Sequence, residues 1–165
     1  MPELTAPCVI DIEASGFGRD SYPIEIGFVL PDGRAGCTLI RPSPQWTHWD
    51  PAAESVHHIS RQALLQHGRS AAEVARWLNS DLSGHTVYCD GWAHDYPWLG
   101  ALFEEAGSSP RFKLESVSRL LDDGALSALD QARAQALREL GLTRHRASSD
   151  ARALQWAVMR VSGLR

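Results

Sequence analysis

Two carboxylates stand at alternate positions of an apolar stretch near the start of the chain, "VIDIEASGFG" (residues 9–18). Residues 7–13 have the composition of a buried strand, so the side chains of Asp11 and Glu13 would point to the same face. One interpretation is an exposed face at the edge of a sheet, because buried anions need partners. The other is a metal site, because ligands of open α/β sheets bind at the carboxyl ends of strands and paired oxygen ligands suit Mg²⁺ or Mn²⁺.

Two aspartates in the segment "YCDGWAHDYPWL" could add a further ligand to such a site. Asp95 lies between the predicted strand "TVYC" and a helix predicted to begin near Tyr96, where an aspartate also serves as an N-cap. Asp90 lies in the same connection, and spacing alone does not decide between the two.

The segment "HRASSDARAL" supplies an acid and a histidine together. Asp150 falls in the first turn of the last predicted helix, where the helix dipole stabilises an acid in any case. His145 precedes it by five residues, and on one helix the two would face directions ~140° apart. They converge only if His145 lies on the loop before the helix, where it could act as a general base for water. The alternative is a solvent-exposed loop histidine between Arg144 and Arg146.

The elements that must position these side chains alternate between strands and helices. The turn "PDGR" (Pro31–Arg34) predicts a hairpin, and Ser70 with Glu73 forms a capping box that opens a helix. Residues 41–54, "RPSPQWTHWDPAAE", are rich in proline and are predicted to be irregular. Strands are predicted at residues 7–13, 22–31, 35–41 and 86–89 and in the segment "FKLESVSRLL", and helices at residues 70–82, 96–107, 127–140 and 147–161. This order predicts an α/β protein with a mixed sheet.

Length and composition indicate a single soluble domain covering residues 1–165. Hydrophobic residues make up 44% and charged residues 22% of the chain, and no apolar stretch approaches the ~20 residues of a membrane-spanning helix. The N-terminus lacks the pattern of a secretory signal, so we expect a cytoplasmic protein with no membrane partner and with reduced cysteines. A net charge of −4 argues against a broad basic surface for nucleic acid, although bound cations would reverse the sign locally.

Four segments of the chain, taken together, resemble motifs of the DEDDh group of 3′–5′ exonucleases, the DnaQ-like family with a ribonuclease H-like fold. They are "VIDIEASGFG", "SVHHIS" (residues 55–60), "HDYPWL" (residues 94–99) and "HRASSDA" (residues 145–151). The first, third and fourth occur in the family's order, and the motifs span the chain from Val9 to Leu154. The resemblance implies a central mixed five-stranded sheet flanked by helices.

The resemblance also implies roles for individual side chains. The residues at the positions of its metal-binding acids are Asp11, Glu13, Asp95 and Asp150. These acids would hold two Mg²⁺ or Mn²⁺ ions, and His145 stands at the position of the general base. The resemblance favours Asp95 over Asp90, because the apolar pair Trp98 and Leu99 follows Asp95 at the family's spacing.

Contacts with a terminal nucleotide are a further implication of the resemblance. Ser15, Gly16 and Phe17 follow the first two acids. Phe17 could stack on a base, and the alternative for this residue is an ordinary place in the core. His58 stands where the family has glycine, and it is expected either to line the substrate pocket or to serve a polar role on a loop, as is His57.

These inferences predict a metal-dependent 3′–5′ exonuclease that acts on the 3′ ends of single-stranded nucleic acid, RNA or DNA, and releases nucleoside 5′-monophosphates. Two alternatives stay open: an endonuclease with the same fold, and an inactive or scaffold module that binds nucleic acid. Small members of the group are often homodimers, so a homodimer is an expectation, but no stretch of the chain identifies an interface.

Overall fold

A mixed five-stranded sheet forms the centre of the computed structural model, which describes residues 5–163. Its strands are β1 (Cys8–Ala14), β2 (Pro23–Val29), β3 (Ala35–Leu39), β4 (Thr86–Cys89) and β5 (Lys113–Ser116), in the spatial order β3-β2-β1-β4-β5. The first three strands pair antiparallel, whereas β4 pairs parallel with β1 and β5 pairs parallel with β4. The structure thus confirms the predicted α/β class with a mixed five-stranded sheet.

Six α-helices within residues 5–163 accompany the sheet. They are α1 (Pro51–His57), α2 (Arg61–His67), α3 (Ala71–Leu82), α4 (Trp92–Ala106), α5 (Asp123–Glu139) and α6 (Ala147–Val161). The larger apolar core joins α3 and α4 to the sheet, and a second core joins α5 and α6 to it. None of these helices is long and apolar enough to cross a membrane.

Strand β1 lies in the middle of the sheet, between β2 and β4. Its side chains alternate between the two cores: Ile10 and Ile12 pack with α3 and α4, whereas Val9 packs with α5 and α6. By the same alternation Asp11 and Glu13 lie on the side of α5 and α6. The interpretation of an exposed sheet edge is therefore wrong, because these acids lie on a central strand.

The helix predicted over residues 96–107 begins four residues earlier than expected. The carbonyl of Gly91 accepts hydrogen bonds from the N–H groups of His94 and Asp95, at 2.9 and 2.8 Å. These bonds close a first turn that precedes Pro97. Proline favours the first position of a helix, so Pro97 alone predicts a later start. Asp95 consequently lies within the first turn of α4 and does not act as its N-cap.

Two other helix boundaries differ from the prediction because of side-chain caps. Helix α5 begins four residues earlier than predicted, since the carboxylate of Asp122 accepts a 2.8 Å hydrogen bond from the N–H of Ala125. Helix α1 begins inside the segment 41–54, which its proline content predicts to be irregular. Asp50 caps this helix and Pro51 occupies its first position, so the pair was a start signal that the proline content of the segment obscured.

Candidate active site

The close approach of α6 to the sheet brings a third acid to the two on β1. Gly27 on β2 is the cross-strand partner of Asp11, and a Cβ atom at Gly27 would lie 2.7 Å from backbone atoms of Ala147 and Ser148. The first turn of α6 therefore rests directly on the sheet, and only glycine leaves room for it. Asp150 lies in the same turn and reaches the acids on β1.

A buried carboxylate fixes the start of α6. Glu25 on β2 is 1% exposed and is the cross-strand partner of Glu13. It accepts a 2.7 Å hydrogen bond from Nη2 of Arg146 and a 2.8 Å hydrogen bond from the N–H of Ala147. Sequence reasoning missed this pair, although a lone acid in the apolar stretch "PIEIGFV" signals that Glu25 needs a buried partner.

His145 lies on the loop directly before α6 and contacts Asp150 through its backbone. Its N–H donates to both carboxylate oxygens of Asp150, at 3.0 and 3.2 Å. Its φ of 62° lies in the left-handed region, which residues other than glycine rarely adopt. The structure thus places His145 on the loop before α6, as its convergence with Asp150 requires. Both residues line the same cleft.

Asp11, Glu13 and Asp150 form a tight group of carboxylates. One oxygen atom from each lies within 4.8 Å of the others. Oδ2 of Asp11 is buried and has no hydrogen-bond partner among the described residues. A buried anion without a partner is costly, and a divalent cation would satisfy it, since Mg²⁺ and Mn²⁺ prefer carboxylate oxygens. The donor set therefore fits a hard divalent cation.

Burial and mutual repulsion raise the pKa values of these acids. Burial raises the pKa of Asp11, and the charges of the neighbouring acids, Glu13 first, raise it further. The pKa of Glu13 rises to about 8, first through burial and then through the charge of Asp150. Burial also raises the pKa of Asp150, although the hydrogen bond from the N–H of His145 opposes this. Without a cation, part of the group is therefore protonated near neutral pH.

Asp95 lines the same cleft from α4 but lies outside the tight group. It is 5% exposed, and burial raises its pKa to about 7, opposed by a hydrogen bond with the thiol of Cys89. Asp90 also lines the cleft, but its carboxylate forms an ion pair with Arg133. The guanidinium neutralises Asp90, whereas Asp95 has no ion pair within residues 5–163. A cation in the cleft would therefore find Asp95 the more available of the two.

The acids share their cleft, which has a volume of about 580 Å³, with Gly16 and Phe17. Phe17 is 70% exposed, so the alternative of a place in the core is wrong. Its ring centroid lies 5.1 Å from that of His94, in an edge-on arrangement. Gly16 lets the loop pass close to Asp50, because a Cβ atom at Gly16 would lie 2.7 Å from Cβ of Asp50. An aromatic ring exposed in this way is available to stack on a ligand.

Ser15 and His58, the other two predicted substrate contacts, are not among the residues that line the cleft. Ser15 is fully buried, and its hydroxyl forms a 2.9 Å hydrogen bond with Nδ1 of His48 and accepts one of 3.1 Å from the N–H of Tyr22. His58 is exposed at the end of α1, in the left-handed conformation. The neighbouring His57 lines the cleft; burial lowers its pKa, and its Nε2 has no hydrogen-bond partner in the described part of the chain.

Comparison with known proteins finds similarity in solved structures, whereas no family model and no curated protein matches the chain. Exonuclease I from Methylocaldum szegediense has a TM-score of 0.66 at 15% sequence identity, over 93% of this chain and 40% of that chain. Exonuclease I of E. coli in complex with a 5cy-dA13 oligonucleotide has a TM-score of 0.65 at 15% identity, over 93% of this chain and 40% of that chain. A zinc-bound complex of E. coli exonuclease I with single-stranded DNA has a TM-score of 0.63 at 15% identity, over 95% and 39%.

These similarities concern the architecture of the chain. It spans about 40% of the length of the exonuclease I structures that it matches. The match covers nearly all of this chain, whose architecture is a mixed five-stranded sheet with flanking helices. The fold that the sequence motifs implied is thereby confirmed, and this chain has the fold of the exonuclease I structures.

Proposed function

We propose that this chain is a metal-dependent 3′–5′ exonuclease that releases nucleoside 5′-monophosphates from the 3′ ends of single-stranded nucleic acid. The observation that carries the proposal is the tight group of Asp11, Glu13 and Asp150 in a cleft that His145 also lines. The fold shared with the exonuclease I structures supports it, and in this chain β1 and α6 bring the group together.

Asp11, Glu13 and Asp150 would hold divalent ions, Mg²⁺ or Mn²⁺, with Asp95 completing the set. Two features support this fit: the buried Oδ2 atom of Asp11 lacks a partner among the described residues, and the acids have raised pKa values. We propose two ions, because four ionised carboxylates balance the charge of two divalent cations. When bound, such ions activate water as a nucleophile and neutralise the charge that develops on the phosphate.

His145 would accept the proton of the attacking water. Its loop is held by Asp150, which accepts two hydrogen bonds from the backbone N–H of His145, so the base and a metal-binding acid keep a fixed relationship. Histidine is the residue most often used as a general base at neutral pH. The remaining task of the cleft is to place the terminal phosphodiester between this base and the acids.

The terminal nucleotide would lie against Phe17. Its exposed ring, edge-on to His94, offers a face for a base, and one such stack is worth about 1–3 kcal/mol by alanine substitution. Stacking tolerates any base, which suits an enzyme that shortens strands of varied sequence. A single strand fits this arrangement best, because the terminal base of a duplex is already paired and must first be separated. The structures of E. coli exonuclease I contain oligonucleotides such as dA16, and either DNA or RNA is proposed for this chain.

Matched strands of RNA and DNA, labelled at the 5′ end, test the proposal in Mg²⁺, in Mn²⁺ and in EDTA. We expect a ladder of labelled products that shorten from the 3′ end only when the metal is present. A circular strand of the same sequence should remain intact, and its cleavage would indicate an endonuclease. A protein that shortens neither polymer in either metal would defeat the proposal and favour an inactive module that binds nucleic acid.

A further inference from the structure

A second groove adjoins the cleft and shares Asp90 with it. The groove has a volume of about 430 Å³ and is lined by Asp90, Trp92, Ala93, Glu115, Ser116 and Arg119. These residues come from the connection after β4, the start of α4, and the end of β5 with the turn that follows it. Because the two spaces meet at Asp90, a strand that leaves the cleft on this side enters the groove.

Exposed aromatic side chains gather around the start of α4. Among the exposed large hydrophobic side chains of residues 5–163, the aromatic ones are Phe17, Trp92 and Tyr96. Trp92 is 41% exposed and Tyr96 is 55% exposed, and their rings stack with centroids 4.8 Å apart. Clustered apolar groups in contact with water mark interaction surfaces, and every nucleobase has a face that can stack on such rings.

Cationic side chains accompany this aromatic pair. Arg119 lies in the groove with 76% of its side chain exposed, 3.8 Å from Glu115, which also pairs with Lys113 at 2.9 Å. Arg133 stands at the junction with the cleft, where it pairs with Asp90. Both acids of the groove, Asp90 and Glu115, are thus paired with cations. Arg119 lines the groove itself and, with 76% of its side chain exposed, is the cation that a phosphate in the groove can reach.

We propose that this groove binds the nucleotides that precede the last two of a single strand, with a base stacked on the Trp92 and Tyr96 pair and a phosphate at Arg119. The proposal rests on the exonuclease function proposed for the cleft. Stacking is insensitive to base identity and every nucleotide carries a phosphate, so the groove increases affinity for longer strands without sequence preference.

Comparing the hydrolysis of a dinucleotide with that of a dodecamer distinguishes binding in the groove from binding in the cleft. A dinucleotide ends before the groove, so Trp92→Ala should leave its kcat/KM unchanged. The same variant should raise KM for the dodecamer by about 5- to 150-fold, the range that corresponds to one base stack. Trp92→Phe should recover most of the affinity. Leu140→Ala, which truncates a side chain 48% exposed outside the groove, is the control and should change neither substrate. A Trp92→Ala variant that weakens both substrates equally, or neither, would overturn the proposal.

Binding of a fluorescein-labelled dodecamer in Ca²⁺ provides a readout that does not depend on hydrolysis, with strand integrity checked on a gel. Trp92→Ala should weaken binding, and Arg119→Gln should reduce the slope of log Kd against log salt by about 0.7. If the strand binds through Trp92 but is never shortened in Mn²⁺, the groove assignment holds and the exonuclease proposal fails. If hydrolysis proceeds while binding is indifferent to Trp92 and Arg119, the exonuclease proposal holds and the groove belongs to another partner.

Discussion

Replacing Asp95 with Asn is expected to stabilise the metal-free protein, and to do so more strongly as the pH rises. The carboxyl group is 5% exposed on α4, and burial raises its pKa from 3.8 to about 7. The folded protein therefore holds this proton more tightly than the unfolded chain does. Stability that the protonated group supports is present below pH 3.8 and is lost as the pH rises through about 7. Asn does not ionise, so Asp95→Asn removes this loss of stability at high pH.

The size of the effect follows from the two pKa values. The raised pKa of Asp95 lowers the stability of the folded state by roughly 4 kcal/mol at pH 8 and by roughly 2 kcal/mol at pH 5, relative to a group whose pKa does not change on folding. The stability difference between Asp95→Asn and wild type should therefore grow by about 2–3 kcal/mol across this range. For a domain of this size that corresponds to roughly 5–10 °C in Tm. Asp95→Asn also alters the hydrogen bond with the thiol of Cys89. A cost from this change that is the same at every pH cancels when the stability differences at pH 5 and pH 8 are compared.

Urea denaturation in EDTA at several pH values between 5 and 8 measures this difference. Asp81→Asn is the matched control, because Asp81 is an exposed carboxylate on α3, and this variant should follow the pH profile of the wild type. Wild type and Asp95→Asn profiles that run parallel from pH 5 to pH 8 would refute the reasoning. In that case Asp95 would not be held in a desolvated site.

Three further predictions concern the cation and the seat of α6. Millimolar Mn²⁺ should raise the Tm of the wild type at pH 8, because a ligand that binds the folded state stabilises it. Scanning fluorimetry should show that Asp11→Asn loses most of this rise. Equal rises in the two proteins would contradict a metal site at the carboxylates. Gly27→Ala should lower the unfolding free energy by about 1–3 kcal/mol, because its Cβ atom would lie 2.7 Å from the backbone of α6. Gly100→Ala is the control and should not destabilise the protein, because its Cβ atom meets nothing within 4 Å. Matching denaturation curves for the two variants would argue against the close packing of α6 on Gly27. Glu25→Gln should cost roughly 1–3 kcal/mol by denaturation, since it removes the buried charge that pairs with Arg146. An unchanged midpoint would show that this pair does not hold α6.

Local patterns predicted where the candidate ligands lie more accurately than the boundaries of the elements that carry them. The shared face of Asp11 and Glu13 follows from the two-residue period of a strand, and the position of His145 before α6 follows from helix geometry. Pro97 resembles a first-turn proline and therefore predicts a start of α4 that is four residues too late. The hydrogen bonds to the carbonyl of Gly91 that begin the helix leave no mark in the composition.

Long-range pairing accounts for what sequence reasoning could not supply. Glu25 and Arg146 are 121 residues apart in the chain, and only the topology of the sheet shows that they meet. The central position of β1 is likewise a property of strand order, so the pattern of its residues left an exposed edge open. Ser15 shows the opposite case. It lies next to the acids in the sequence and is predicted to contact substrate, but in the fold its hydroxyl is hydrogen-bonded to His48.

Release of nucleoside 5′-monophosphates from a single-stranded oligonucleotide tests the central claim most directly. Wild type and Asp11→Asn, shown by circular dichroism to be equally folded, are incubated with the strand and Mn²⁺, and the products are separated by chromatography. Because the carboxylates are proposed to act as a unit, we expect steady release by the wild type and a rate lower by roughly a thousandfold or more in Asp11→Asn. Equal rates in the two proteins, or no release by the wild type, would contradict the account.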